Sequence, residues 1–286
     1  MIGKVISPLS RFLKKRIVKN IRHDFQQNKH IKNSLKGESV YIIGNGPSLK
    51  WLDLSVFKNK KVIACSSMFL HKDFKYLNRP YYLIAHPLVF LKYWFHPYRK
   101  KITRNYVGKL FLKKMFEYSS KNRPRYFTPI VNKLLAPQFD FIYINSSKDI
   151  KEDGLKSDLT GKFNFTSGSL AYMLGIAAYM NPEKIYLVGV DYLARPHLEG
   201  HFFEKGIRYG KEFDESWSCK YITNVLKKIK IVNLVINEEV KNTCGLESET
   251  FKNHFHIDAS YKENHEIVSN EDLEYLKEWN FPYHFD

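Results

Sequence analysis

Cysteine is scarce here. The 286 residues hold three, Cys65, Cys219 and Cys244, and none is paired at metal-like or redox spacing. Free thiols in a reducing compartment are therefore the expectation. Long apolar runs are missing too. No stretch reaches the roughly 20 residues that cross a bilayer, and the first residues carry no signal-peptide core. Acid is in short supply: 29 Asp and Glu stand against 46 Lys and Arg, a net charge of +17 with a pI of about 9.5. Such a charge implies an anionic partner or surface, and nucleic acid, anionic lipid and nucleotide-linked substrates all qualify.

Against these shortages stands a hydrophobic content of 44%. It predicts a globular fold rather than disorder. The length suits one large α/β domain or two small ones. Two basic clusters stand out. Lys4, Arg11, Lys14, Lys15, Arg16, Lys19, Arg22, Lys29, Lys32 and Lys36 crowd the first segment; Lys92, Arg99, Lys100, Lys101, Arg104, Lys109, Lys113 and Lys114 open the second. Residues 9–25 place Leu9, Phe12, Leu13, Ile17, Ile21 and Phe25 at helical spacing with cations opposite. That helix suits an anionic membrane surface; docking on the domain is the alternative. Residues 1–37 are read as a basic N-terminal segment and 38–286 as the main domain.

From Val40 the pattern alternates short apolar runs with helical spacing. Strands are expected at 40–43, 61–65, 81–85, 139–144, 184–190 and 229–236. Continuous apolar strands between helices predict a parallel sheet covered on both faces, doubly wound and Rossmann-like. Ligands bind beyond the C-terminal strand ends of such sheets. Ser66, His86, Asn145 and Asp191 all fall there. The basic, aromatic-rich stretch 88–135 reads as helical. It is either packed core or a platform for a sugar, a membrane face or stacked bases.

Three motifs carry chemistry. The run Val40–Ile43 ends in Gly44-Asn45-Gly46-Pro47-Ser48, a glycine turn with a proline suited to a first helical turn. Free N–H groups at a helix start favour phosphate, though an ordinary strand–helix turn reads the same. Phe165-Thr166-Ser167-Gly168 opens a second helix, with Thr166 or Ser167 as cap and Leu170, Met173, Leu174, Ala177 and Ala178 as an apolar stripe. Gly189-Val190-Asp191-Tyr192 then places a carboxylate just past a buried strand. A polar, glycine-punctuated lid is expected over about 192–215, and it carries His197, His201, Glu204 and Tyr209. His201, flanked by Gly200 and two phenylalanines and close to Glu204, is the preferred base over His197, His254 and His256.

Taken together, Ile43-Gly-Asn-Gly-Pro-Ser-Leu-Lys50, Thr166-Ser-Gly168 and Ile185-Tyr-Leu-Val-Gly-Val-Asp191 resemble the bacterial sialyltransferases of glycosyltransferase family 42. Their order and separation agree from about residue 38 to about residue 240. The resemblance implies a Rossmann-type single domain with a lid, a GT-A variant. It implies a CMP-activated nonulosonic acid donor, inverting transfer to a sugar hydroxyl, and no metal or other cofactor. Gly44, Asn45, Gly46 and Ser48 would meet the nucleotide or its phosphate. Thr166, Ser167 and Gly168 would line the donor site, with Asp191 nearby and Ser167 near the sugar carboxylate. Tyr192 and Tyr209 are the nearest equivalents of the tyrosines that hold the leaving phosphate. Ser66 and His86 stand where the family has asparagines. The family's base lies further past the aspartate than His201 does. The glycine-proline-serine motif also resembles flagellar motility-accessory proteins and their pterin-kinase-like relatives.

The expected activity is thus a glycosyltransferase acting on a bacterial surface glycan, a lipooligosaccharide or capsule, from the cytoplasmic inner face of the inner membrane. The expected partners are a CMP-sugar, a lipid-linked glycan acceptor and an anionic membrane surface, with homo-oligomerisation left open. A nucleic-acid-binding protein is the non-enzymatic alternative, but no helix-turn-helix, zinc or RNA-recognition signature supports it. No Asp-x-Asp pair of the kind that holds a metal on a nucleotide sugar stands at a strand end.

Overall fold

The computed structural model describes residues 24–96, 101–135, 139–146, 155–195, 200–204, 216–257, 264 and 266–277. The first apolar run becomes β1 (Ser39–Ile43), followed by β2 (Lys61–Cys65) and β3 (Tyr81–Leu83). A hairpin of β4 (Tyr93–His96) and β5 (Lys101–Arg104) leads to α1 (Tyr106–Lys121), then β6 (Arg125–Pro129) and β7 (Phe141–Ile144). Next come α2 (Gly168–Met180), β8 (Lys184–Val188), β9 (Ala194–Arg195), α3 (Ser216–Leu226) and β10 (Lys230–Val235). β11 (Lys241–Asn242), β12 (Glu247–Thr250), α4 (Phe251–Phe255) and α5 (Asn270–Lys277) complete the described elements.

Among the described residues the main sheet has eight strands in the order β12-β10-β8-β1-β2-β3-β6-β7, and every pairing between them is parallel. Alternation explains why both faces are dry. Val40 and Ile42 of β1 join Ile63 and Cys65 of β2 in one cluster, and α2 and α3 cover it. Tyr41 and Ile43 join Val62 and Ala64 in the other, covered by α1 and α5. The doubly wound α/β arrangement follows directly.

Local chemistry fixes the helices. Asn105 Oδ1 accepts the Gly108 N–H at 2.8 Å and starts α1. At its far end the Asn122 amide donates to the carbonyls of Phe74, Lys75 and Leu77 and ties the helix to the 74–77 turn. α2 is apolar almost all round, not merely striped, because it lies between the sheet and α3. It stops at Asn181, which takes the left-handed conformation.

Several expectations change. The stretch 88–135 is helical only in α1 and two short 3₁₀ turns. It also holds a hairpin and the sheet strand β6, which begins with an arginine and ends in a proline and so shows no apolar run. The helix that starts after Gly46 is a five-residue 3₁₀ helix, Pro47–Trp51, not an α-helix. The three cysteines are not all free. Cys219 of α3 is bonded to Cys244, and only the buried Cys65 remains a thiol. The 25 residues that separate the two partners hid the pair from any spacing rule. Such a bond is uncommon in a reducing cytosol, so cysteine usage no longer argues for one.

Most of the amphipathic reading of 9–25 lies outside the described residues. Within residues 24–37, Phe25, Ile31 and Leu35 are buried in the core, and the Asn28 amide donates to the carbonyls of Tyr143 and Leu159 at 2.9 Å. Among the described residues no helix is long and apolar enough to cross a membrane.

Candidate active site

Strand order locates the site. From β1 the chain winds outward through β2, β3, β6 and β7, then returns to lay β8 on the other side of β1. The topological switch point therefore lies between β1 and β8. Past their C-terminal ends run Gly44-Asn45-Gly46 and Gly189-Val190-Asp191, the first and third sequence motifs.

These two loops grip each other. The Gly44 N–H donates to the Val188 carbonyl and the Gly46 N–H to the Gly189 carbonyl, both at 2.8 Å. The Ser48 N–H donates to Asp191 Oδ2 at 2.7 Å, and Asp191 is buried. A Cβ on Gly44 would fall 2.3 Å from the Gly189 oxygen, and one on Gly46 would fall 2.2 Å from Asp191 Oδ2. The glycines are thus required by backbone packing. The expectation that Gly44, Gly46 and Ser48 offer free amides to a phosphate is corrected: strand-end hydrogen bonds consume all three.

The second motif meets the first across the end of β2. Asn45 Nδ2 contacts Cys65 Sγ at 3.6 Å, and Ser66 Oγ lies 3.5 Å from Ser169 Oγ in the first turn of α2. Burial pushes the Cys65 thiol up to about 11, while hydrogen bonds with Ser66, Ser169 and Asn45 pull the other way. This thiol is a packing and hydrogen-bonding group, not a nucleophile. Ser66 takes the left-handed conformation at φ 52°, and its carbonyl accepts the Tyr82 hydroxyl at 2.5 Å. Asn45 Oδ1 and Ser48 Oγ are buried and find no hydrogen-bond partner.

α2 runs back against the strands, so its first turn opens at their C-terminal ends. Asn164 sets the approach, pairing with the Lys156 backbone through Oδ1 at 2.7 Å, and Phe165 is buried beside Gly175. The expected cap is absent: Ser167 occupies the N-cap position without a side-chain hydrogen bond to the helix. Its φ of −91° and ψ of 86° depart from the extended backbone of a usual cap. Ser167 and Gly168 are exposed and Thr166 half-buried, and a Cβ on Gly168 would meet nothing within 4 Å. This is the uncapped, positively polarised helix end of the crevice.

Residues 200–204 of the expected lid form one wall. The Phe202 N–H donates to the Asn45 carbonyl at 2.9 Å, and Phe202 and Phe203 are buried. The buried Lys50 donates through Nζ to the Glu204 carbonyl at 3.0 Å. Glu204 Oε2 accepts the His201 N–H at 2.8 Å and lies 3.5 Å from His201 Nδ1. The His201 ring stacks on Phe203 and stays 37% exposed, so it can reach solvent or a ligand.

The other sequence candidates scatter. Tyr192 is half-buried against the α2 side of the core. His86 is exposed beyond β3, two strands out from β1. Asn145 ends β7, four strand steps or roughly 19 Å from β1, so one cleft does not gather it with Asp191. His254 bridges the Tyr41 hydroxyl and Glu249, each at 2.9 Å, within the opposite core. Tyr209, His197 and residues 205–215 lie outside the described residues. Sequence reasoning missed Cys65, Ser169 and the role of Lys50. The serine after Gly168 was the one available signal.

No protein-family model matches the chain, and no curated protein matches it. Three solved structures of the sialyltransferase CstII from Campylobacter jejuni are similar to it at 16% identity. The complex with cytidine-5'-monophosphate covers 71% of this chain and 82% of its own, with a TM-score of 0.40. The complex with CMP-3FNeuAc covers 84% and 98% at 0.36, and a mutant described as an alpha-2,3/8-sialyltransferase covers 85% and 100% at 0.37. Likeness this distant assigns no activity, and the functional reading rests on the crevice itself.

Proposed function

We propose that the crevice binds a CMP-activated nonulosonic sugar and transfers it, with inversion, to a hydroxyl of a glycan acceptor. The observation that carries this reading is the convergence of the uncapped α2 N-terminus, the Asn45–Cys65–Ser66–Ser169 cluster and the His201–Glu204 pair around one strand-end crevice. The leaving phosphate would sit at the first turn of α2, where free N–H groups and the helix dipole favour developing negative charge. Asn45, with its unpartnered Oδ1, and Thr166 to Gly168 would face the nucleotide and sugar. Tyr209, from beyond the described residues, would donate its hydroxyl to the phosphate.

In the reaction, His201 Nε2 removes the acceptor hydroxyl proton as that oxygen attacks the anomeric carbon. The bond from that carbon to the phosphate oxygen breaks, and CMP departs with the electron pair. Glu204 Oε2 lies 3.5 Å from Nδ1, and on closing to hydrogen-bond distance in the substrate complex it would hold the ring in the tautomer that leaves Nε2 as acceptor. No step requires a metal. The acceptor would be a lipid-linked surface glycan, met by an enzyme that sits peripherally on a membrane.

Thermal melting in CMP tests the reading. Saturation at about 100 times the dissociation constant adds roughly 2.7 kcal/mol, several degrees of melting temperature. Asn45→Ala and Ser167→Ala should reduce that rise while leaving the unliganded melt close to wild type. CMP without effect, with ATP or a pterin stabilising instead, rejects the proposal. Retained turnover of a CMP-sugar in EDTA checks the metal-free step.

A further inference from the structure

The β4–β5 hairpin takes no part in the crevice, yet it leaves the sheet on the same side. It lies between the C-terminal end of β3 and α1. Its base is fixed where the Asn105 N–H donates to the Lys92 carbonyl and Asn105 Nδ2 to the Leu91 carbonyl, both at 2.9 Å. Tyr93 pairs with Arg104, and Ile102 with Phe95. Cross-strand partners and alternate residues share a face, so Tyr93, Ile102 and Arg104 point the same way. That face meets solvent: Ile102 is 73% exposed and Tyr93 55%. The 3₁₀ turn 130–134, packed against residues 87–90 that lead into the hairpin, adds Val131 at 66%, and Leu135 follows at 37%.

Cations frame these apolar tips. Lys92 Nζ lies 5.5 Å from the Tyr93 ring centroid, and Arg104 stacks over Tyr106 at 5.4 Å. No acidic residue occurs between Asp73 and Glu117, whereas Lys92, Arg99, Lys100, Lys101, Arg104 and Lys109 all do. Aliphatic tips beside the exposed cations Lys92 and Arg104 match one surface, the acyl–headgroup boundary of an acidic bilayer. A second copy would bring like charge against like charge. Single-stranded nucleic acid would use Tyr93 for stacking but gain nothing from Ile102, Val131 and Leu135.

We propose that the β4–β5 hairpin, with Val131 and Leu135, docks the protein on an anionic lipid bilayer. Tyr93 and Ile102 enter the acyl boundary while Lys92 and Arg104 lie among the headgroups. The docking stands apart from the nucleotide site, and its failure leaves CMP binding as it is. It also differs from an anchor in the first residues, because it names where lipid touches.

The test uses the full chain with Ile102→Cys. Cys65 is buried and the other two cysteines are bonded, so an NBD label goes to position 102. Phosphatidylglycerol-containing vesicles should shift the NBD emission to the blue, and doxyl-labelled lipid should quench it. Pure phosphatidylcholine should do neither, and added salt should weaken both effects. In the unlabelled chain, Tyr93→Ser with Ile102→Ser should lower affinity for the anionic vesicles about tenfold. An emission unchanged by anionic vesicles overturns the proposal, even if the chain co-sediments with them. A blue shift that grows with protein concentration in the absence of lipid overturns it too and names a second copy as the occupant.

Discussion

Asp191 offers the sharpest test of how the crevice is built. Its Oδ2 takes the Ser48 N–H at 2.7 Å in a buried setting and lies where a Cβ of Gly46 would fall. A hydrogen bond to a charged group contributes about 1.5–3 kcal/mol net, and a neutral one roughly half as much. Asp191→Asn keeps an acceptor for the Ser48 amide and should cost about 1 kcal/mol. Asp191→Ala leaves that buried N–H unpaired and should cost about 3 kcal/mol. For a chain of this size each kcal/mol moves the melting temperature by roughly 2–4 °C, so the losses are roughly 2–4 °C and 6–12 °C. Melts followed by circular dichroism, with urea titrations alongside, read both. Because Asp191 is engaged by protein, Asp191→Asn should keep the CMP-induced rise. An alanine variant that melts within a degree of wild type refutes the loop clamp. An asparagine variant as unstable as alanine refutes the role given to Ser48.

His71 is wholly buried, and burial lowers its pKa from 6.5 to about 4. Above pH 6.5 it is neutral folded or unfolded. Below that the unfolded chain binds a proton the folded chain refuses, so stability falls until about pH 4, by about 3 kcal/mol in all. Urea titrations at pH 7 and 4.5 should show a loss about 2–3 kcal/mol smaller in His71→Asn, which keeps an acceptor for the Asp73 N–H; equal losses exclude His71. Removing the Cys219–Cys244 bond by paired serine substitution should cost about 3.5 kcal/mol from the loop it closes, read as a lower urea midpoint, and an unchanged midpoint would mean the bond does not form in solution. Glu204→Gln should keep CMP affinity and lower turnover at least about tenfold, while His201→Ala should keep affinity and abolish transfer; full activity in the histidine variant would move the base elsewhere.

The fold was largely legible because parallel strands buried on both faces read as plain apolar runs. Ser39–Ile43 and Lys61–Cys65 fall within a residue of the expected bounds, and Lys184–Val188 starts where expected and ends two residues early. β6 and β12 escaped for physical reasons. Arg125-Tyr-Phe-Thr-Pro129 is short and capped by charge and proline, and Glu247-Ser-Glu-Thr250 is an edge strand with charged residues turned to water. Missing β6 is also why Asn145 was placed in the cleft: the extra strand pushes β7 one step further out. Motif reading located the crevice but misjudged its parts. Sequence spacing cannot show that the Ser48 amide is already taken by a residue 143 positions away.

The glycines of the first motif illustrate the difference between a motif's place and its work. A Gly-x-Gly turn admits two close partners, a ligand or another stretch of backbone. Here the partner is β8: the carbonyls of Val188 and Gly189 take the turn's amides, and the Gly189 backbone fills the space where a Cβ of Gly44 would lie. Ligand-facing chemistry is therefore displaced one strand along, to the end of β2 and the first turn of α2. There Gly168 has open space around it and no side chain caps the helix. The two glycine-bearing motifs divide the labour. One locks β1 to β8 at the switch point, which fixes Asn45 and, through its carbonyl, the His201 segment. The other leaves polarised N–H groups facing the same crevice. Replacing Gly44 or Gly46 in the first acts through stability and only then through binding, whereas a substitution in the second acts on binding directly.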